Sequence, residues 1–223
     1  MDRLAQEIAD WITAMDRRLV IGVSGHGAAG KTTFTNAVVD RLGRQEVNYL
    51  NTDPYIVSSD VRKYTRISYT YQNEEHRGKM TACHPAAHHV AALERDIRML
   101  RAGVDVFTID TPYKRSGILA ADRNVTIVEG MTVAFSDPEL FDLSLYFYTN
   151  GDTEFHRRSS RDIKERGMEL AYLKQSHAER RIQYDVFMHP YSARFDFIVK
   201  NSDDALWVEK NAGIPEIRMD SPS

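Results

Sequence analysis

Cysteine is almost absent from this sequence: Cys83 is the single one. No disulfide can form within the chain, and a reducing, cytoplasmic setting is the simplest expectation. Surplus positive charge is lacking as well. Lys and Arg number 29 against 32 Asp and Glu, a net charge of -3, so no global basic field points to nucleic acid. Long hydrophobic runs are missing: no stretch is apolar enough to span a bilayer. Asp2, Arg3, Glu7 and Asp10 interrupt the first residues, so no signal peptide is expected there. Neither a membrane nor a nucleic acid is therefore expected as a partner. There is no internal repeat and no low-complexity linker. A chain of 223 residues is expected to form a single domain, 1–223, with a substantial core.

What is present is an alternation of apolar strands and amphipathic helices. Leu4, Ile8, Trp11, Ile12 and Met15 recur at helical spacing, which predicts a first helix within 1–17. Packing on the domain is the plain expectation for its apolar face; a homo-oligomer contact or a membrane surface are the alternatives. Strands are predicted at 19–23, 47–50, 104–109, 125–128, 143–148 and 195–199, and helices at 31–42, over 90–100 and at about 153–166. Residues 57–82 are polar and yield no assignment, and the tail from about 211 to 223 is expected to fray. Strands alternating with helices imply a mostly parallel sheet covered on both faces. Gly25, Asp53, Asp110, Glu129 and Gly151 all fall at or just beyond predicted strand ends, the rim where such sheets bind ligands.

The strongest motif is Gly25-His26-Gly27-Ala28-Ala29-Gly30-Lys31-Thr32, which fits G-x-x-x-x-G-K-[ST] with a strand before it and a helix after it. Glycines let the backbone turn tightly and bring N–H groups to phosphate oxygens. The helix start adds free N–H groups and a favourable dipole. Lys31 supplies a point charge for the β- and γ-phosphates, and Thr32 a hydroxyl for magnesium.

Further segments, in order along residues 19–200, resemble the uridine kinase and phosphoribulokinase-like group of P-loop kinases. Ile21-Gly22-Val23-Ser24-Gly25 opens the phosphate loop as theirs does, and Gly30-Lys31-Thr32-Thr33 closes it. Asp53-Pro54-Tyr55 resembles their D-x-[FY], and Cys83-His84-Pro85 their D-H-P without the aspartate. Val125-Thr126-Ile127-Val128-Glu129-Gly130 is similar to their apolar strand ending in Glu-Gly. Arg157-Arg158-Ser159-Ser160-Arg161-Asp162, followed by Glu165-Arg166-Gly167, is similar to their lid helix. The resemblance implies an α/β fold of the P-loop NTPase type: three layers, a mostly parallel five-stranded sheet and a helical lid. It implies a kinase that transfers the γ-phosphoryl group of ATP, with Mg2+, to a hydroxyl of a small molecule. Asp53 would be the base, and Arg161 would act with Lys31 on the transferring group. Residues 25–33 (Gly25, His26, Gly27, Ala28, Ala29, Gly30, Lys31, Thr32 and Thr33), with Arg157 and Arg158, would hold the nucleotide. Thr32 and Glu129 would hold the metal; Tyr55, His84, Asp110, Lys114 and Arg115 would meet the acceptor.

Without the resemblance several of these residues stay open. Asp53 before Pro54 also reads as a turn aspartate, and Glu129 as half of a structural salt bridge. Arg157, Arg161 and Lys164 share a helix face, but Arg158–Asp162 and Arg161–Glu165 pairs on a solvated helix fit the same charges. His84, His88 and His89 lack a second group at metal spacing, so surface or cap roles are expected; Cys83 reads as a small buried side chain. The departures from the family pattern fall on the acceptor side. The tyrosine after D-x-[FY] is Ile56, the aspartate before His-Pro is Cys83, and Y-D-F-x-x-H-S-R becomes Ile109-Asp110-Thr111-Pro112-Tyr113-Lys114-Arg115-Ser116. Lost aromatics at Ile109 and Thr111 imply poor use of uridine. Lys114, Arg115, Arg62, Lys63 and Arg66 would suit a more anionic or more compact acceptor. A sugar or sugar-phosphate kinase is the alternative within enzymes, and a regulatory ATPase without an acceptor the alternative outside them. No [NT]-K-x-D guanine motif occurs.

Overall fold

The computed structural model describes residues 1–111, 115–166, 170–202 and 205–213, with the side chains at 161, 162, 164–166 and 170–172 outside that description. Along the chain run α1 (Asp2–Thr13), β1 (Leu19–Gly25), α2 (Lys31–Leu42), β2 (Val47–Asn51), α3 (Ser59–Arg62), β3 (Arg66–Tyr71), β4 (Glu74–Lys79) and α4 (Val90–Arg101). Then follow β5 (Val106–Phe107), β6 (Ile118–Leu119), β7 (Val125–Glu129), β8 (Leu143–Tyr148), α5 (Gly151–Arg166), α6 (Leu170–Gln183), β9 (Phe197–Ser202) and β10 (Ala205–Asn211). The main sheet has the order β10-β9-β8-β1-β7-β2. Five neighbouring strands are parallel, and β10 adds an antiparallel edge.

Both faces of the sheet are covered, so β1 is buried along its whole length and reads as a continuous apolar run. Period-2 alternation sorts its side chains. Leu19, Ile21 and Val23 join α1, α2, Leu143, Leu145 and Phe147 in one core; Val20 joins Leu50, Leu93, Ile97, Val128 and Tyr146 in the other. This is the expected three-layer α/β/α arrangement. The apolar face of α1 (Leu4, Ile8, Trp11, Ile12) is buried in the first core, so it packs on the domain.

Three expectations need correction. The predicted strand at 104–109 shrinks to Val106–Phe107, paired only with Ile118–Leu119 outside the main sheet. Phe107 and Ile118 are both about two-thirds exposed, so this pair lacks the second covered face that the apolar run implied. The sixth strand of the main sheet is instead β10, whose Trp207 and Val208 are exposed; an edge strand with one wet face has a weak apolar signal. The unassigned 57–82 segment contains the hairpin β3–β4, turned at Gln72 and Asn73, both with positive φ (51° and 65°), the left-handed pair that matches strand twist in two-residue loops. The expected fraying tail lies outside the described residues beyond 213. Among the described residues no helix is long and apolar enough to cross a membrane.

Candidate active site

Register brings the polar chemistry to one rim. Val23 and Asn51 both lie opposite Glu129, and Gly25 lies opposite Phe147, so β1, β2, β7 and β8 end together. The phosphate loop leaves β1 there. Gly25 has φ 133°, and a Cβ on it would sit 1.8 Å from the Phe147 carbonyl oxygen. Gly30 caps α2 at φ 94°, where a Cβ would sit 2.3 Å from Asn201 Nδ2. Larger residues at either position would displace the loop. Gly27 has open space beside it, which leaves room for a ligand against the backbone.

Lys31 is buried, donates to the His26 carbonyl at 3.0 Å and stands 3.9 Å from Glu129 Oε1. Thr32 is exposed on the cleft side and donates to Glu129 Oε2 at 3.2 Å. The same oxygen accepts from the Tyr49 hydroxyl at 2.7 Å and Asn51 Nδ2 at 3.4 Å. Burial, and then Glu129 itself, push the Tyr49 phenol well up, so Tyr49 remains a donor. Glu129 is 2% exposed, and its neighbours include a cation, Lys31, at ion-pair distance, as a buried carboxylate requires. The ion pair with Lys31 bears out the salt-bridge alternative for this group. The Thr32 hydroxyl and the Glu129 carboxylate are the hard oxygen donors a magnesium ion takes, and they stand together at the start of α2.

Arg157 donates to the Asn201 carbonyl at 3.0 Å and lies 3.4 Å from the Ala28 carbonyl. It lines a cleft of about 450 Å³ with Met1, Ala28, Gly30, Lys31, Thr32, Thr33 and Asn201. Arg158, one residue on, turns to the buried Glu154 at 3.3 Å and lines a separate recess beside His177; it does not share the cleft. Nor does the His26 ring, which is buried with its nitrogens on Gly27 and Thr149, so only its backbone belongs to the cradle. The side chains of Arg161 and Lys164, and all of Lys114, lie outside the described residues.

Asp53 is exposed in a 3-10 turn just past β2, its N–H held by Asn51 Oδ1 at 3.0 Å. Thr52 N–H bonds to the Glu129 carbonyl, which fixes this turn beside Glu129. Tyr55 differs from expectation. It is buried and its hydroxyl donates to Asp96, so its ring walls a pocket of about 160 Å³ with Asn51, Pro54, Ile109 and Arg115 while its polar group is committed elsewhere. Asp110 is exposed and accepts from Ser116 N–H, a loop-closing role. His84 caps a short turn by accepting from Ala86 N–H and also packs on Phe187. His88 is buried between Thr132 and the Ala82 carbonyl. Among the described residues no group of three or more His, Cys, Asp or Glu is placed to hold a metal ion. Cys83 is buried, which pushes its thiol up to about 12.

Two further features are not evident from the sequence. Arg62 is half-buried and donates to the Val57 and Met80 carbonyls; among the described residues it makes no ion pair. Lys63, by contrast, pairs with Asp60. The second feature is an aromatic group: Tyr69 stacks on His76 at 5.5 Å and meets Phe187 edge-on at 5.2 Å, and Phe187 meets His84 at 4.5 Å. It is assembled from β3, β4, the Cys83–Pro85 turn and the turn after α6, so no local pattern announces it. A cavity of about 570 Å³ opens among Ile12, Met15, Val47, Arg123 and Val125, at the amino ends of β2 and β7. Ligands of open α/β sheets bind at the other end of the strands, where Lys31, Thr32 and Glu129 are.

Residues 20–206 match the model of the Phosphoribulokinase / Uridine kinase family. A uridine kinase of Lactiplantibacillus plantarum is 31% identical over 194 residues, covering 82% of this chain and 87% of that protein. Among solved structures, D-glycerate 3-kinase from Cryptococcus neoformans is similar at a TM-score of 0.61 and 10% identity, covering 92% of this chain and 99% of that one. Phosphoribulokinase from Rhodobacter spheroides is similar at 0.57 and 15%, covering 83% and 71%. The last two are likenesses of fold.

Proposed function

The chain belongs to the phosphoribulokinase and uridine kinase family of P-loop kinases, and from that premise we propose that it transfers the γ-phosphoryl group of ATP to a hydroxyl of a small molecule, with magnesium. The observation that carries this is the convergence of Lys31, Thr32 and Glu129 within hydrogen-bond or ion-pair reach where β1 and β7 end. Lys31 leaves the His26 carbonyl for the β- and γ-phosphates. Arg157 borders the nucleotide cleft, and Arg161 acts on the charge that develops in transfer. Thr32 and Glu129 would hold magnesium, which would neutralise phosphate charge. Asp53 receives the acceptor's proton.

For the acceptor we infer a compound more anionic or more compact than uridine, on the strength of Arg115 in the pocket beside Tyr55 and of Arg62, which donates to backbone carbonyls. The test is acceptor-dependent ADP release across nucleosides, sugars, sugar phosphates and small hydroxy acids. Wild-type turnover with at least one acceptor, abolished in Lys31→Ala with the fold intact, is the expected result. Rapid ATP hydrolysis that no acceptor stimulates would replace the kinase reading with a regulatory ATPase.

A further inference from the structure

We propose that His26 is a positioning residue whose ring joins the phosphate loop to α5 and α6, so that nucleotide occupancy and the placement of those helices are linked. The inference rests on the nucleotide site proposed above. His26 occupies the second position of the loop and is 1% exposed. Its Nε2 accepts from Thr149 N–H at 2.9 Å. A backbone amide can only donate, so the ring proton sits on Nδ1. From there it faces the Gly27 carbonyl at 2.8 Å and Glu154 Oε2 at 3.5 Å. One neutral tautomer thus contacts the loop, the residue leading into α5, and α5 itself.

The other partners extend the link. Glu154 is buried on α5 and also meets Arg158 at 3.3 Å and Arg181 of α6 at 3.4 Å. Arg181 donates to the Thr149 carbonyl at 3.0 Å and lies over the Tyr184 ring, and Tyr184 meets the His26 ring edge-on at 4.6 Å. Thr149 is therefore gripped from both sides, its N–H by His26 and its carbonyl by Arg181. Burial, assisted by Arg181 and Lys31 and opposed by Glu154, lowers the His26 pKa to about 4, so the ring keeps its acceptor lone pair at neutral pH. The His26 carbonyl is also the resting partner of Lys31. When phosphates draw Lys31 away, the residue that loses it is the one whose ring holds Thr149 and Glu154. A purely structural histidine needs partners for its nitrogens; here one is the loop's own Gly27 carbonyl, while Thr149 and Glu154 lead into α5, and Arg157 of α5 lines the nucleotide cleft.

The test uses the full chain and a non-hydrolysable ATP analogue, read by titration calorimetry and by amide hydrogen exchange over 149–158 and 177–185. In wild type the analogue binds and slows exchange in both segments. His26→Phe keeps an aromatic ring against Tyr184, slightly larger than the imidazole, but removes both nitrogens. It is expected to bind about tenfold more weakly, the scale of one lost buried hydrogen bond, and to lose the spread of protection to α5 and α6. His26→Gln, whose carbonyl oxygen can accept from Thr149 N–H, is expected to recover most of both. Adding Arg181→Gln to His26→Phe should cost little more, because the two act on one unit. If His26→Phe does not fold, His26→Leu, which also lacks both nitrogens, and Arg181→Gln are compared singly and together. Non-additive losses support the link, and additive losses overturn it. A His26→Phe variant with wild-type affinity and wild-type spread of protection overturns this inference alone. A wild-type chain that binds no analogue overturns the nucleotide site and the inference with it.

Discussion

Asp53 and Tyr55 stand two positions apart in one turn, yet Asp53 faces solvent beside Glu129 while Tyr55 is buried on Asp96. The motif that names both cannot separate them, because Asp96 lies 41 residues away in sequence. The same holds for Arg157 and Arg158: buried Glu154 takes the second and leaves the first at the cleft. Residues of the phosphate loop are legible because their role is set by local backbone geometry; acceptor residues are not, because their partners are remote. If Asp53 is the base, Asp53→Asn keeps affinity for an ATP analogue and lowers transfer by roughly two to four orders of magnitude; near-normal turnover would return it to a turn role. A second expectation concerns His88. Burial lowers its pKa from the ordinary 6.5 to about 4, as it does for His26. Between those values the unfolded chain binds the proton and the folded chain does not, so each histidine makes stability fall as pH drops from 6.5 towards 4. Above 6.5 neither contributes a slope. Urea unfolding from pH 4.5 to 8 should show this, and His88→Gln should remove up to about 1.4 kcal/mol per pH unit from the slope below pH 6. An unchanged slope would mean that His88 is protonated in the fold.

At the scale of elements, legibility follows burial. β1, β7 and β8 were readable as apolar runs because both of their faces are covered. The hairpin β3–β4 was not, because its residues alternate between exposed and half-buried and its turn is Gln-Asn, without glycine. The helix α6 escaped for a related reason: its apolar side chains form only a weak stripe, and its anchoring groups are polar. Those anchors hold the hairpin. Glu179 accepts from Lys79 N–H at 3.1 Å, and Gln183, fully buried, accepts from Thr81 N–H and donates to the Lys79 carbonyl, each at 2.9 Å. Gln183→Leu fills similar space but strands both backbone groups. It is expected to destabilise the fold by about 1–3 kcal/mol and, on the proposal that the aromatic group with Tyr69 and His76 of the hairpin meets the acceptor, to raise the acceptor KM more than the ATP KM. Equilibrium unfolding and two-substrate kinetics check this; an equal rise in both constants would detach the hairpin from acceptor binding.

Across the whole molecule, the division between a recognisable phosphate end and a rebuilt acceptor end has a physical basis. The phosphate end is made of strand termini in fixed register with one loop and one helix start, so the sequence motif and the site are the same object. The proposed acceptor end would gather the turn after β2 and the segment around Ile109 and Arg115, which share one pocket, from separate parts of the chain. Its chemistry cuts two ways. Arg62 is half-buried, donates only to carbonyls and makes no ion pair among the described residues; burial lowers its pKa, so an anion arriving there meets a cation short of negative partners. Arg115 adds a second guanidinium at the pocket walled by Ile109 and Tyr55. Guanidinium groups favour carboxylates and phosphates through paired, charge-assisted bonds. Against this, Tyr69, His76, His84 and Phe187 supply the stacking surface that Ile109 and Thr111 lack, which would suit a planar base. The two contributions separate in one experiment: kcat/KM for uridine, cytidine, sugar phosphates and hydroxy acids at fixed ATP and magnesium, in wild type and in Arg62→Gln. An anionic acceptor is expected to exceed uridine by at least about tenfold and to lose about 10- to 100-fold in Arg62→Gln, the scale of a charged hydrogen bond of about 1.5–3 kcal/mol. Uridine should be nearly indifferent to that substitution. If uridine or cytidine proves the best acceptor and Arg62→Gln leaves every acceptor alike, the aromatic group sets the preference and Arg62 serves only to hold Val57 and Met80 in place.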